Sequence, residues 1–261
     1  MNYRDPNMNI AMPVFSIHGN HDDPSGLGGF SCLDSLHSTG LINYFGRINN
    51  LEEVDVTPLL ITKGTAKLAL YGMSSVKDER LHRLFRSKKV NFFRDDSAPN
   101  SWFNLLVLHQ NRVKHGPTSY IPEHFIDPMF DLAFWGHEHE CRLEPEAVEL
   151  SDDKRYYITQ PGSSVATSLI EGEAKEKKVG ILHIRREDGD GGGQMFNIEP
   201  VPLQSVRPMI FRTVNIEEEG LDLRGSDKKQ QQETNSEGKN CLENCLENCL
   251  EFPYTRKMWK S

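Results

Sequence analysis

The sequence predicts a layered α/β fold over residues 1–208, and two observations carry that prediction. Five short apolar runs have the length of buried strands and end in glycines or polar motif residues. The segments between these runs include helical patterns, and strands that alternate with helices indicate a layered α/β domain. The five runs are residues 12–17, 68–71, 103–108, 130–135 and 179–184.

Two of the connecting segments have a clear local signature. Residues 79–87 place Leu81, Leu84 and Phe85 at helical spacing, so we predict a helix there. Residues 187–194 contain four glycines. Such a glycine-rich segment predicts a loop that joins two strands as a hairpin.

The composition is that of an ordinary globular protein, with 37% hydrophobic and 26% charged residues among 261. No apolar run reaches the ~20 residues that span a bilayer, and no secretory signal opens the chain, so we expect an intracellular protein without a membrane partner. Five cysteines, three of them in a tail repeat, do not make a disulfide framework. A net charge of −8 argues against a broadly basic surface but does not exclude a local nucleic-acid-binding patch.

The character of the chain changes near residue 215. Residues 221–239 are polar and nearly free of aromatic side chains, and Asn-Cys-Leu-Glu then occurs three times over residues 240–251. We predict that residues 221–261 form a disordered, low-complexity tail. A thiolate metal site built from the repeated cysteines is the alternative interpretation of that repeat.

Three polar segments each follow a predicted buried strand. They contain Gly-Asn-His-Asp at residues 19–22, His-Gln-Asn-Arg at residues 109–112 and Gly-His-Glu-His at residues 136–139. Loops at the carboxyl ends of strands are where α/β sheets place their sites. A single such segment is more often a buried histidine or a turn, but three in succession favour a functional site.

The residue types in these segments suit a divalent metal. Neutral imidazoles and an amide oxygen are ligands for Mn²⁺, Zn²⁺ or Fe²⁺, and two ions ~3.5–4 Å apart can clamp a phosphodiester. On an extended loop the histidines of Gly-His-Glu-His can face two adjacent ions. We expect Gly19 and Gly136 to adopt backbone conformations closed to other residues, which would turn the ligands into the site.

Gly-Asn-His-Asp, a strand-terminal His and Gly-His-x-His resemble the last three signature blocks of the calcineurin-like metallophosphoesterase superfamily. The surrounding strings are more specific. They resemble the eukaryotic meiotic-recombination-eleven (Mre-eleven) nucleases of double-strand-break repair, from about Asn9 to Pro208. The resemblance implies a four-layer sandwich of two sheets flanked by helices. The strings are Pro-Val-Phe-Ser-Ile-His-Gly-Asn-His-Asp-Asp-Pro, Trp-Gly-His-Glu-His-Glu-Cys and Gln-Pro-Gly-Ser-Ser-Val-Ala-Thr-Ser-Leu, among others.

The resemblance also implies roles for individual residues. Asn20, His109 and His137 match ligands of one metal, and His139 matches a ligand of the other. His21 matches the histidine that stabilises the transition state and protonates the leaving 3′ oxygen, against a purely structural role in hydrogen bonding. We expect Arg112 and Lys114 either to contact DNA phosphates or to form a solvated loop face.

By the same resemblance, the family activity is Mn²⁺-dependent 3′–5′ exonuclease and single-strand endonuclease cleavage of DNA in the nucleus. The implied partners are DNA, a second copy of the chain, a coiled-coil ATPase of the SMC (structural maintenance of chromosomes) type and a nibrin-type subunit. Meiosis and homologous recombination are the implied processes. Residues 1–208 would be a partial nuclease domain, and residues 209–220 would begin a truncated DNA-capping region.

The superfamily's first Asp-x-His and Gly-Asp blocks have no counterpart in residues 1–16. Those blocks supply three ligands, including the bridging aspartate, so we expect an N-terminally incomplete site that holds at most one ion weakly. Two interpretations stay open. The chain is a fragment of a nuclease with little or no activity alone, or it is a non-catalytic truncated paralogue that binds DNA or repair-complex partners.

Overall fold

A mixed six-stranded β-sheet forms the centre of the chain, in a computed structural model that describes residues 2–94, 101–151, 154–186 and 194–213. The helices are α1 (Cys32–Ser38) and α2 (Asp78–Arg86), with short 3-10 helices at Asn2–Arg4, Glu123–Phe125 and Glu171–Ala174. The strands are β1 (Phe15–Ser16), β2 (Asn43–Tyr44), β3 (Val54–Val56), β4 (Leu59–Lys63), β5 (Ala66–Met73), β6 (Val90–Phe92), β7 (Phe103–His109), β8 (Leu132–Gly136), β9 (Arg142–Ser151), β10 (Lys154–Gln160), β11 (Lys178–Arg186) and β12 (Gln194–Pro202).

The central sheet has the strand order β4-β5-β7-β8-β10-β9. Strands β5, β7, β8 and β10 pair in parallel, while β4 and β9 are antiparallel strands at the two edges. Interior parallel strands are covered on both faces, which explains their nearly continuous apolar sequences. The predicted strands at residues 68–71, 103–108 and 130–135 are therefore confirmed as parts of β5, β7 and β8, although β8 begins two residues later than predicted.

Alternate side chains of these strands point to opposite faces and build two cores. The first core packs against α2, β3 and β6; its buried sheet residues include Tyr71, Met73, Leu106, Leu108 and Trp135. The second core packs against β11 and β12 and against Phe15 and Phe45; its buried sheet residues are Leu70, Phe103, Leu105 and Leu132. Full burial of one such side chain contributes about 1.5–3 kcal/mol, so both faces of the sheet depend on their covering layers.

Three two-stranded sheets complete the described part of the chain. Strands β1 and β2 pair in parallel, β3 and β6 pair in parallel, and β11 and β12 form an antiparallel pair. Sheets on both faces of the central one, with few helices, make an α/β sandwich and confirm the predicted fold class. The predicted strand at residues 12–17 is much shorter than expected, because only Phe15 and Ser16 make ladder pairs.

Helix α2 confirms the helix that was predicted at residues 79–87. Asp78 and Glu79 lie in its first turn and Arg83 and Arg86 in its last, which complements the helix dipole. Leu81 and Leu84 face the core, and the helix ends before Lys88, whose φ of 53° is left-handed.

Other predictions fall wholly or partly outside the described residues. Residues 187–193 of the predicted glycine-rich loop lie outside the described residues, and Gln194 is already part of β12; β11 and β12 pair over their full length, as a hairpin connection requires. The tail and its Asn-Cys-Leu-Glu repeat lie beyond residue 213.

A compact unit extends from Met1 to Phe211. Within the described ranges, no helix is both long enough and apolar enough to cross a membrane.

Asp131, which directly precedes β8, shows how burial of a charge affects the stability of the fold. Asp131 accepts a hydrogen bond from the backbone N–H of Asn104 at 2.6 Å, and burial raises its pKa to about 6. A carboxyl whose pKa is raised above 3.8 on folding stabilises the fold at low pH, and this contribution is lost as the pH rises through about 6.

We therefore expect Asp131→Asn to stabilise the protein by about 1–2 kcal/mol at pH 7.5, since the amide oxygen can still accept the hydrogen bond and carries no charge to desolvate. The gain should vanish below about pH 4, where Asp131 is protonated in both the folded and the unfolded chain. Thermal unfolding from pH 4 to 8 measures the difference, with Asp55→Asn at an exposed position as the control. A gain that does not change with pH would contradict this account.

Candidate metal centre

Three chain segments meet at one end of the central sheet. His109 is the last residue of β7 and pairs in register with Gly136, the last residue of β8, so His137 follows directly beside it. Strand β1, on the neighbouring layer, leads into Gly19 and Asn20. The loops thus meet at the carboxyl ends of the parallel strands, as the sequence predicted.

Donor atoms of Asn20, His109 and His137 form a compact triangle. The Oδ1 atom of Asn20 lies 3.0 Å from His109 Nε2 and 3.3 Å from His137 Nδ1, and the two imidazole nitrogens are 3.3 Å apart. Donors bound to one ion at ~2.0–2.2 Å lie about 3.0–3.5 Å apart, so the triangle has the size of one face of a coordination sphere. The three residues therefore fit a single divalent cation.

The two histidines of the triangle are held in the neutral form that metal binding requires. Burial, and after it the charge of the neighbouring His137, lowers the pKa of His109 to about 4. Burial also lowers the pKa of His137, against the opposing charges of Glu138 and Asp78. Asn20 is exposed, so the open side of the triangle faces solvent.

Gly19 and Gly136 are needed for space and not for an unusual backbone conformation, which corrects our expectation. Neither glycine has a positive φ. A Cβ atom on Gly19 would lie 2.7 Å from His109 Cε1, and one on Gly136 would lie 3.1 Å from His109 Nδ1. The unusual conformation belongs to His137, at φ 89°, a strained value for a residue with a side chain.

His139 is oriented by a different set of partners. Its Nδ1 lies 2.8 Å from Glu173 Oε1 and 2.9 Å from Thr167 Oγ1, and no hydrogen bond joins it to the triangle within the described residues. The charge of His139 lowers the pKa of His137, so the two histidines are near one another. The structure thus brings together three of the four predicted ligands and places the fourth beside them.

His21 and Lys114 are exposed, whereas Arg112 is not. His21 makes no hydrogen bond among the described residues, yet its charge lowers the pKa of both His109 and His137, which puts it next to the triangle. The Arg112 side chain is 8% exposed. Its guanidinium donates to Glu123 at 2.7 Å, Glu146 at 2.5 Å and Gln160 at 3.0 Å. Each of its three nitrogens therefore has a partner within the protein, and Lys114 remains the better candidate for a phosphate contact.

Several residues that shape the site were missed by sequence reasoning. His18 is buried, with Nδ1 2.6 Å from the Tyr44 hydroxyl and Nε2 3.2 Å from the Ser75 carbonyl, so it anchors the loop that carries Asn20. Glu138 accepts the backbone N–H groups of Arg112 and Val113 at 2.8 and 2.9 Å. His18 and Glu138 stand close to predicted ligands in the sequence, and that position could have indicated a role in the site. Nothing in the sequence indicates such a role for Glu173.

In the described part of the chain, no group of three or more His, Cys, Asp and Glu side chains is placed to hold a metal. The triangle contains only two such side chains, His109 and His137, since its third donor is the amide oxygen of Asn20. All three donors are neutral.

We expect Gly19→Ala to weaken divalent-cation binding by about tenfold or more without removing a ligand, because the new methyl group displaces the His109 ring. Mn²⁺ affinity can be measured from the electron paramagnetic resonance signal of the free ion. Gly116→Ala is the matched control, since its nearest neighbour is the hydroxyl end of Ser119, which can rotate away. Equal affinities of Gly19→Ala and the unsubstituted chain would show that His109 is not a ligand.

Comparisons with known proteins identify the family of the chain. The family model described as calcineurin-like phosphoesterase matches residues 2–141. The chain is 49% identical over 214 residues to the double-strand break repair protein mus-23 of Neurospora crassa, and 50% identical over 214 residues to the double-strand break repair protein MRE11 of Mus musculus. These alignments cover 82% of this chain but only 28% and 29% of the relatives. The chain thus spans less than a third of the length of each.

A more distant relative gives the same result. The MRE11 protein of Oryza sativa subsp. indica is 45% identical over 237 residues, which is 87% of this chain and 32% of that protein. Among solved structures, Haemophilus influenzae NAD nucleotidase aligns with 72% of this chain and 39% of its own, at 13% identity and a TM-score of 0.40, too weak a likeness for any argument. Over most of its length the chain is thus similar to proteins of the MRE11 type, and it belongs to the calcineurin-like phosphoesterase family.

Proposed function

We propose that this chain is the metal-binding part of a Mn²⁺-dependent DNA nuclease, with 3′–5′ exonuclease and single-strand endonuclease activity, that acts in double-strand-break repair. The observation that supports this most is the triangle of Asn20, His109 and His137 at the carboxyl ends of parallel strands. The relatives from Neurospora crassa and Mus musculus are named as double-strand break repair proteins. The geometry of the triangle supports the binding of a cation, and membership of the family supports a phosphoester as the substrate.

Each residue then has a chemical role. Asn20, His109 and His137 would hold one cation, and the Nε2 atom of His139 would face the second. Two bound divalent ions supply a hydroxide for in-line attack and neutralise the phosphate. His21, exposed beside the triangle, would donate a proton to the leaving 3′ oxygen, for which it must lie within hydrogen-bond reach. Lys114 would contact a phosphate on the DNA backbone.

The donor set also bears on how strongly this chain binds metal by itself. The three donors of the triangle carry no charge, and no carboxylate completes a cluster with them within the described residues. Neutral donors do not offset the charge of a cation, so we propose that the chain holds one ion weakly and has little or no cleaving activity alone.

Larger features of the family remain part of the proposal. We propose DNA, a second copy of the chain, a coiled-coil ATPase and a nibrin-type subunit as partners, and the nucleus as the location. Residues 1–208 would form the nuclease part, 209–220 the start of a DNA-capping region and 221–261 a dispensable tail. The absence of a carboxylate from the described triangle favours a second candidate function, a non-catalytic protein that binds DNA or repair partners.

A chimera tests which of these two functions the chain retains. The Asp-x-His and Gly-Asp blocks of a relative such as mouse MRE11 are joined ahead of this chain, to supply the charged and bridging ligands. We expect the chimera to cleave end-labelled duplex DNA only when Mn²⁺ is present, whereas the unjoined chain should leave the DNA intact.

The matched control is the same chimera with His21→Ala, which should bind Mn²⁺ as well but lose cleavage by about 10²–10⁴-fold. Cleavage by the unjoined chain that needs Mn²⁺ and His21 would contradict the proposed weakness of the isolated site. A folded chimera that binds Mn²⁺ and DNA but does not cleave would favour the non-catalytic alternative.

A further inference from the structure

Glu173 is a carboxylate that the proposed function does not use and whose burial requires an explanation. Its side chain is 0% exposed, and it lies in the 3-10 helix Glu171–Ala174, far in sequence from the site loops. A buried charge is costly unless it is paired and fully hydrogen-bonded. Here the charge is paired with Lys177, whose Nζ lies 2.5 Å from Glu173 Oε2 and whose side chain is 4% exposed.

The two carboxylate oxygens of Glu173 have different partners. Oε2 accepts from Lys177 Nζ and, at 2.8 Å, from the Ser163 hydroxyl. Oε1 accepts the backbone N–H groups of Thr167 at 3.0 Å and Ser168 at 3.2 Å. Oε1 also lies 2.8 Å from Nδ1 of His139. The carboxylate therefore connects the buried ion pair to the imidazole of a predicted metal ligand.

An ionised carboxylate can only accept hydrogen bonds, which decides the tautomer of His139. The proton must lie on Nδ1, where Glu173 Oε1 accepts it, and Nε2 then carries a lone pair. The His139 side chain is 37% exposed, and no described residue bonds Nε2. A histidine that donates from one nitrogen to a carboxylate and keeps the other free is prepared to bind a cation.

The backbone of His139 is fixed by the same cluster. Its carbonyl accepts the N–H of Ser163 at 3.1 Å and lies 3.4 Å from Lys177 Nζ. Gly162, at φ 72°, brings the loop so close that a Cβ there would lie 2.5 Å from that carbonyl oxygen. Ring and backbone of His139 are thus both held by the segment 162–177.

We propose that Glu173 is a positioning residue, which locks His139 in the Nδ1–H tautomer and thereby directs the Nε2 lone pair towards the cation site. This inference rests on the proposed function for the identity of the ligand, but the tautomer itself is a property of the metal-free chain. Lys177 and Ser163 keep the carboxylate ionised and oriented, and Thr167 and Ser168 fix which oxygen faces the ring.

The first measurement uses the unsubstituted chain. Nitrogen-15 resonances and proton couplings of the His139 ring, recorded at about pH 8 where an ordinary imidazole is neutral, distinguish the two tautomers. We expect the Nδ1–H form alone. Thr167→Val removes the other hydroxyl near Nδ1 and should leave this result unchanged. An Nε2–H ring in the unsubstituted chain, or in Thr167→Val, would overturn the proposal.

Two double variants separate the acceptor from the charge. E173M/K177M replaces the ion pair by two apolar side chains of similar length, which avoids a lone buried charge. E173Q/K177M also removes both charges but keeps an oxygen opposite His139, because the N–H groups of Thr167 and Ser168 select the oxygen end of the amide. We expect the Nε2–H tautomer to appear in E173M/K177M but not in E173Q/K177M, with circular dichroism confirming that each is folded. The same tautomer in both variants would overturn the role of Glu173.

Addition of Mn²⁺ distinguishes failure of this inference from failure of the proposed function. In the chimera that carries the Asp-x-His and Gly-Asp blocks, and with them the other ligands of the second ion, uptake of that second Mn²⁺ should need about 10–100-fold more Mn²⁺ with E173M/K177M than with E173Q/K177M, the usual cost of losing such a partner. In another outcome the unjoined chain shows the Nδ1–H tautomer while Mn²⁺ broadens none of the signals of Asn20, His109, His137 and His139. That result would reject the metal centre and leave only the effect of Glu173 on the tautomer of His139. Uptake of the second ion at equal Mn²⁺ in both forms of the chimera would reject the positioning role and keep the metal centre.

Discussion

The backbone ladder between β7 and β8 places Leu105 opposite Leu132 and His109 opposite Gly136, and this register decides where both histidines of the triangle lie. Side chains alternate along a strand, so a slip of one residue would turn His109 to the opposite face of the sheet. The buried apolar residues of both strands prevent that slip, since it would move each of them into the opposite core, where the neighbouring side chains do not fit it. The same apolar packing that stabilises the sheet therefore fixes the metal donors.

Beyond the strands, buried hydrogen bonds hold the site loops in place. The side chain of Gln110 accepts the backbone N–H of Val76 at 2.8 Å and donates to the Val76 carbonyl at 2.7 Å. The backbone carbonyl of Gln110 accepts the indole N–H of Trp135 at 2.8 Å. Asp78 accepts from Gln110 and Asn111, and the Arg112 guanidinium joins the 3-10 helix Glu123–Phe125 to strands β9 and β10. Loops pinned in this way need little reorganisation to accept an ion, which favours binding by residues that carry no charge of their own.

Strands β5, β7 and β8 and helix α2 could be predicted from the sequence, because apolar runs and helical spacing are local patterns, whereas the central strand β10 was not predicted. The three residues of the triangle were predicted from the polar segments that follow strands and from the family resemblance. The short β1 could not be predicted, since its residues make few ladder pairs despite an apolar run. The burial of Arg112 depends on Glu123 and Glu146, and the orientation of His139 depends on Glu173. Such partners come from distant parts of the chain, and no local pattern in a single sequence identifies them.

The central claim is that Asn20, His109 and His137 of this chain converge on one cation. Anomalous diffraction from crystals soaked in Mn²⁺ tests it most directly. The account predicts one peak within ~2.0–2.4 Å of Asn20 Oδ1, His109 Nε2 and His137 Nδ1, and at equal Mn²⁺ this peak should be weaker in Gly19→Ala. An Mn²⁺ peak elsewhere, or an ordered triangle without a peak at saturating Mn²⁺, would contradict it.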